Sequence, residues 1–265
     1  MSISLRNNVQ QLGHGEKTLL LAHGFGCSQK VWRYLTPYLQ ENYKLILFDY
    51  VGLGKSDFSA FDSLRYSKLD GYALDILNIA NELNLKDIHF VGHSVSSMIG
   101  LLAHQATPSI FSSISMVCPT PCYLNVPPEY YGGFEQDDLE ELIDLMDKNY
   151  IGWANLLAPL VSGNKDIAIT EELDASFCTM DPMVARTFAQ ATFFSDYRYL
   201  LESCDCSALI LQSSQDTLAN VSVGEYMHAH MQKSVLRLVQ GNGHCLHMTN
   251  PEEVSHAINN FIESL

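Results

Sequence analysis

The stretch Ile88-His-Phe-Val-Gly-His-Ser-Val-Ser-Ser-Met-Ile-Gly100 decides the fold. A short apolar run, Ile88, Phe90 and Val91, breaks at Gly92-His93-Ser94-Val95-Ser96 and resumes as a small-residue helical pattern. Strand, sharp turn and helix in that order, with a serine at the tip, match the G-x-S-x-G nucleophile elbow. In that motif small residues two before and two after the serine let strand and helix pass closely. The last small residue here is Ser96 in place of glycine, which keeps the bulk low. A plain strand-to-helix turn that happens to carry a serine is the alternative, and the flanking periodicities argue against it.

Outward from this turn, other apolar runs repeat the strand signal: Thr18 to His23, Leu45 to Asp49, Ile114 to Cys118, Ala208 to Gln212 and Val235 to Val239. Continuous apolar runs predict strands covered on both faces, as in a parallel sheet. Between them, Leu69, Tyr72, Ile76, Ile79 and Leu83 fall at alternating spacings of three and four, one face of an amphipathic helix. Asn250-Pro251-Glu252-Glu253 reads as the start of the last helix, with Asn as N-cap and Pro at the first helical position. Alternating strands and helices predict a doubly wound α/β sheet.

From about Pro121 to Asp196 the alternation stops. Leu139, Leu142, Ile143, Met146 and Tyr150, then Trp153, Leu156, Leu157 and Leu160, follow helical spacing. Asp181-Pro182 then opens a helix carrying Val184, Phe188, Phe193 and Phe194. The expected organisation is a single domain, 1–265, with a core of 1–120 and 197–265 and an inserted helical lid of 121–196. Such a lid would lie over the carboxyl edge of the sheet, where open α/β folds bind ligands.

A serine hydroxyl needs a base to take its proton and a carboxylate to orient that base. Asp216 follows the strand Ala208 to Gln212, and His244 follows Val235 to Val239, each in a loop at a strand's carboxyl end. The order Ser94, Asp216, His244 is the one expected downstream of such an elbow. His247, in the same loop as His244, competes for the role of base. The backbone N–H of Val95, at a helix N-terminus, and that of Phe25 in His23-Gly-Phe-Gly26 are the candidate oxyanion donors. Gly54-Lys55-Ser56 ends like a phosphate-binding loop, but Asp49 stands where its first glycine belongs, so Asp49 to Ser56 reads as a structural turn.

The rest of the composition narrows the function. With 15 Lys and Arg against 30 Asp and Glu, the net charge of −15 disfavours binding to nucleic acid or to an anionic membrane surface. No apolar run reaches membrane-spanning length, and the first residues are too polar for a signal peptide. An odd count of 7 Cys without a scaffold spacing predicts free thiols in a reducing cytoplasm. Neither Cys118-x3-Cys122 nor Cys204-x-Cys206 has a matching second pair, and the pairs His228/His230 and His244/His247 lack a partner at ligand spacing. No metal and no cofactor is expected.

With these residues in place the chain resembles an α/β-hydrolase from end to end. More closely, it resembles the RsbQ-like branch, whose relatives include plant strigolactone and karrikin receptors. The stretches that carry the resemblance include His23-Gly-Phe-Gly-Cys27, Val91-Gly-His-Ser-Val95, Pro121-Cys-Tyr-Leu-Asn125, Pro127-Pro-Glu-Tyr-Tyr-Gly-Gly-Phe134, Lys148-Asn-Tyr-Ile-Gly-Trp153 and Gly243-His-Cys245. The chain departs from the wider pattern after Asp216, where a proline is common and Asn220 stands. The resemblance implies the α/β-hydrolase fold, a Ser94–Asp216–His244 triad, Phe25 and Val95 at the oxyanion hole, and a helical lid over an apolar pocket. The expected activity is that of a serine carboxylesterase acting on a small ester or lactone. Tyr123, Phe134, Trp153 and Phe193 are the candidate pocket-lining residues. The resemblance also implies an alternative, a ligand-sensing regulator of the general stress response working beside a PAS-domain phosphatase.

Overall fold

The computed structural model describes residues 1–163 and 166–265, so the stretch 121–196 is described apart from two positions. Nine strands are present among the described residues: β1 (Gln10–Leu12), β2 (Lys17–Ala22), β3 (Tyr43–Leu47), β4 (Ile88–His93), β5 (Phe111–Val117), β6 (Asn125–Val126), β7 (Tyr130–Tyr131), β8 (Ala208–Gln215) and β9 (Ser234–Asn242). Seven form one sheet in the order β1-β3-β2-β4-β5-β8-β9. Every pairing in it is parallel except that of the short edge strand β1, which runs antiparallel to β3. The fold is the α/β-hydrolase fold read from the sequence.

The apolar runs work because alternate residues of each strand enter different cores. Leu19 and Leu21 join one cluster, on the face covered by the helix Pro251–Glu263, while Leu20 and Ala22 join the other, beside the helices Leu69–Glu82 and Val95–Ala106. The same split divides Leu209 and Leu211 from Ala208 and Ile210. Side chains alternate across a strand, so a strand buried on both faces must be apolar at every position. On Leu69–Glu82 the residues Leu69, Tyr72, Ile76 and Ile79 are all buried, as their spacing predicts.

One expectation needs correction, and two helix readings that hold gain a detail. Val235 to Val239 is not a doubly covered strand: β9 lies at the sheet edge, with Val235 and Leu238 each 45% exposed. Asn250 stands before the helix Pro251–Glu263, but its side chain does not cap it; the amide reaches back to the Gln240 carbonyl. Leu156 and Leu160 share the helical spacing of Trp153 and Leu157 yet point outward.

Between β5 and β8 the chain forms the small β6–β7 hairpin and then the helices Gln136–Lys148, Tyr150–Ser162, Ile167–Thr179 and Pro182–Phe193. Each starts with a polar N-cap residue: Glu135 in a capping box with Asp138, then Asn149, Asp166 and Asp181. Their inward residues, among them Leu139, Trp153, Leu173, Phe177 and Phe193, extend the cluster that begins at Leu19. The chain leaves the sheet and returns at one place: the Tyr197 N–H donates to the Pro121 carbonyl at 2.8 Å, beside an antiparallel bridge between Cys122 and Asp196.

Candidate active site

Parallel strands deliver their following loops to one edge, and the candidate residues converge there. Ser94 follows β4 at the centre of the sheet, Asp216 follows β8, His244 follows β9, and Phe25 lies just beyond β2. Ser94 has φ 55° and ψ −124°, backbone that a side chain adopts only when its surroundings enforce it. Two anchors do so here. The Ser94 N–H donates to the Val117 carbonyl at 2.8 Å, and the helix Val95–Ala106 begins at the next residue. Gly92 is required, since a Cβ there would come within 2.8 Å of the Ser96 backbone.

Ser96, in place of the elbow's usual glycine, has a use for its hydroxyl. Its Oγ donates to the His23 carbonyl and lies 2.9 Å from the Tyr50 hydroxyl. It therefore ties the elbow helix to the loop that holds Phe25.

His244 stands between the other two residues. Its Nε2 is 2.7 Å from Ser94 Oγ, and its Nδ1 is 2.7 Å from Asp216 Oδ2. The remaining carboxylate oxygen of Asp216 accepts from the Leu218 N–H at 2.9 Å and the Ala219 N–H at 3.2 Å. An acceptor held from both sides fixes the imidazole with Nδ1 protonated, leaving the Nε2 lone pair free for the serine proton. Asn220, which takes the place of a common proline, caps the helix Val221–His230 by accepting from the Val223 N–H. The acid loop is thereby closed without the ring. Ser94, Asp216 and His244 are all less than a tenth exposed.

His247 is placed differently. It is fully buried, its ring packs on Trp32 and His93 at 4.6 and 4.3 Å, and neither ring nitrogen has a hydrogen-bond partner among the described residues. Burial lowers its pKa to about 3, so it stays neutral. His93, beside the serine, is also held below the ordinary histidine range, by burial first and by its neighbours His247 and His244 second. Its Nε2–H donates to the His244 backbone carbonyl at 2.9 Å. The role of His93 has no signal in the sequence, because a contact spanning 151 positions leaves no local pattern.

Cys118, at the end of β5, joins Asp216 and His244 in a buried group whose potential ligand atoms all lie within 4.8 Å of one another. Burial and the neighbouring Asp216 push its thiol well above the usual range, so it is not a ready thiolate ligand. A metal would also have to break the 2.7 Å contact between His244 and Asp216. The donor set is better matched to a triad than to a cation. All seven cysteines are free.

The two candidate oxyanion donors lie in separate segments, one directly after Ser94 and one in the loop after β2. Val95 opens the elbow helix. Phe25 lies in a turn closed by the Cys27 N–H to the Gly24 carbonyl at 3.3 Å, with Gly26 at φ +72° supplying the left-handed position such a turn needs. Of the candidate pocket residues, Tyr123 comes nearest, with its hydroxyl 3.4 Å from Ser94 Oγ. Phe193 packs edge-on against Tyr123 at 5.1 Å and against Phe25 at 5.6 Å. Trp153 lies 6.1 Å from Phe25, and Phe134 is a layer further out, 6.2 Å from Tyr123.

The arrangement agrees with what the chain is similar to. Residues 19–257 match the model of the alpha/beta hydrolase family. A karrikin insensitive 2 receptor of Petunia hybrida is 40% identical over 94% of this chain and 92% of its own length. A strigolactone esterase of Pisum sativum is 35% identical over 95% of this chain and 94% of its own. Among solved structures, a hydrolase from Oleispira antarctica superposes with a TM-score of 0.98 at 52% identity, covering 99% of this chain and 97% of that one. By the residues at the sheet's carboxyl edge and by this likeness along nearly its whole length, the chain belongs to the alpha/beta hydrolase family.

Proposed function

We propose that this protein is a serine carboxylesterase that cleaves a small apolar ester or lactone through an acyl-enzyme on Ser94. The observation that carries the reading is the unbroken contact line Ser94 Oγ, His244 Nε2 and Nδ1, Asp216 Oδ2, with both links at 2.7 Å. His244 takes the serine proton as Oγ attacks the carbonyl carbon, and the oxyanion settles on the N–H groups of Phe25 and Val95. The protonated His244, stabilised by Asp216, then gives its proton to the departing alkoxide. Water, deprotonated by the same imidazole, releases the acid.

Residues 121–196 act as the lid of this site, with Tyr123, Phe134, Trp153 and Phe193 bounding an apolar pocket. Burial of Ser94 to 4% exposure supports small acyl groups over long lipids. Seven free cysteines support a reducing, cytoplasmic setting. Relatives at 38 to 40% identity that are named karrikin insensitive 2 receptors support a second reading. In it, the protein senses a ligand and hydrolysis is slow; a signal to a PAS-domain phosphatase is what the resemblance to the RsbQ-like branch adds to that reading, and it does not come from these relatives.

The test is hydrolysis of p-nitrophenyl acetate and butyrate by wild type and Ser94→Ala, with intact-protein mass after brief substrate exposure. The expected result is an acyl adduct on wild type alone and a fall in kcat of about 10^4 or more in the variant. Turnover by folded Ser94→Ala near the wild-type rate refutes the mechanism. A rate peak at long-chain esters refutes the small pocket.

A further inference from the structure

The turn that presents the Phe25 N–H is held from the helical segment as well as from the sheet. Ser176, on the helix Ile167–Thr179, donates through Oγ to the Gly26 carbonyl at 2.7 Å, across 150 positions of sequence. The next residue of that helix, Phe177, lies so close to Gly26 that a Cβ there would sit 2.3 Å from the ring. The Phe25 ring points into the same helices, 6.4 Å from Phe177, 5.4 Å from Phe188 and 5.6 Å from Phe193. One turn toward the helix N-terminus, the Glu172 carboxylate accepts from the two terminal guanidinium nitrogens of Arg33 and from the Tyr34 hydroxyl, the latter at 3.1 Å. One helix therefore grips the segment 26–34 at two points, and the nearer grip falls on the residue next to Phe25. The Phe25 N–H itself has no hydrogen-bond acceptor among the described residues.

We infer that Ser176 is a positioning residue for the oxyanion hole: its hydrogen bond to Gly26 holds the Phe25 N–H in the orientation that receives the developing charge. The inference rests on the acyl-enzyme reading above. Gly26, with φ +72° and no side chain to restrict it, supplies the left-handed position of the turn, and its carbonyl is the one Ser176 restrains. Without the restraint, the Gly24–Cys27 turn keeps its internal bond, but the peptide carrying the Phe25 N–H loses one fixed neighbour. Donors aimed in advance at the oxyanion act in the transition state and not in substrate binding. The loss therefore belongs in kcat. It also belongs in the affinity of any ligand that forms an oxyanion on Ser94, while KM stays near its wild-type value.

The experiment compares wild type, Ser176→Ala and Ser176→Thr, the last of which keeps the hydroxyl on a half-exposed site. Each is assayed for kcat and KM on p-nitrophenyl butyrate, for Ki with a short alkyl trifluoromethyl ketone, and for Tm. The ketone adds to Ser94 and forms a stable hemiketal oxyanion. Loss of one hydrogen bond in the supporting layer predicts a fall in kcat of about three- to tenfold in Ser176→Ala. Ki should rise by the same factor, KM should stay within about twofold, and Ser176→Thr should restore both. A rise in KM with kcat and Ki unchanged would make Ser176 a wall of the pocket, and the inference falls. So it does if Ser176→Ala matches wild type, or if Ser176→Thr is as impaired as Ser176→Ala. Fluorophosphonate labelling of wild type separates the two layers of the argument. A wild type labelled at Ser94 beside an inert Ser176→Ala change overturns only the positioning role, whereas an unlabelled wild type overturns the acyl-enzyme reading and this inference together.

Discussion

Asp216→Asn tests the direction of proton flow with almost no change of shape. The carboxylate uses Oδ1 for the N–H groups of Leu218 and Ala219 and Oδ2 for His244 Nδ1. An asparagine amide has one oxygen and one NH2, so the two sides compete. With the oxygen kept toward Leu218 and Ala219, the NH2 faces Nδ1 and forces the imidazole into its other tautomer. Nε2 then carries a proton and donates to Ser94 where it should accept, and no base remains. The reverse orientation rescues the tautomer but sets the NH2 against two buried N–H donors. Each group left unsatisfied costs about 1–3 kcal/mol, so the flip is disfavoured by about 2–6 kcal/mol. The wrong tautomer should prevail, and kcat should fall by about 10^4. Steady-state hydrolysis of p-nitrophenyl butyrate, with circular dichroism and Tm as controls for folding, measures it. A folded Asp216→Asn enzyme within tenfold of wild type would show that Asp216 does not set the state of His244.

Two further outcomes follow from the buried histidines. His247→Phe keeps a ring against Trp32 and His93 while removing two nitrogens that have no partner among the described residues; kcat should stay within about threefold and Tm should hold or rise, because burying unpaired polar atoms is unfavourable. A loss as large as that of His244→Ala would instead make His247 the base. His23, His93 and His247 are all held neutral, chiefly by burial, with pKa values below 6.5. Below that pH the unfolded chain binds protons that the folded chain refuses. Stability is thus intact above about pH 6.5 and falls as pH drops, by at most about 1.4 kcal/mol per pH unit for each histidine. Denaturant unfolding between pH 7.5 and 5 reads the slope, and a flat profile contradicts the neutral assignment.

What could be read in advance was local. The elbow declares itself because glycine, serine and small residues must sit at fixed offsets for the turn to exist at all. Asp216 and His244 are legible because each follows an apolar run in a loop, and parallel strands carry such loops to one edge. Many of the contacts that hold these residues and their neighbours in place reach far across the chain. His93 reaches the His244 carbonyl and Ser176 reaches the Gly26 carbonyl across about the same distance in sequence, and no spacing rule encodes either. Ser96 looked like a tolerated substitute for glycine, when its hydroxyl joins the elbow to His23 and Tyr50. Periodicity also misleads at the surface: Leu156, Leu160, Val235 and Leu238 have the spacing of core residues but occupy an outer helix face and a sheet edge. The helix Ile167–Thr179 buries Ile169, Leu173 and Phe177 four apart, a stripe one residue wide and too thin to stand out as an apolar face in the sequence.

The meeting of Pro121 with Tyr197 has a consequence for how this family can change. Because the chain departs and returns within one hydrogen bond, the sheet does not register how much polypeptide lies in between. Closing a loop twice as long costs only about 0.6 kcal/mol more. Helices can be added, removed or exchanged at this junction while β5 and β8 keep their pairing, so the helical segment can drift on a different clock from the sheet and the residues at its carboxyl edge. The same junction is a practical cutting point: a cap taken from a relative and spliced between Cys122 and Asp196 should inherit the triad without further adjustment of the sheet, provided it brings its own grip on Gly26.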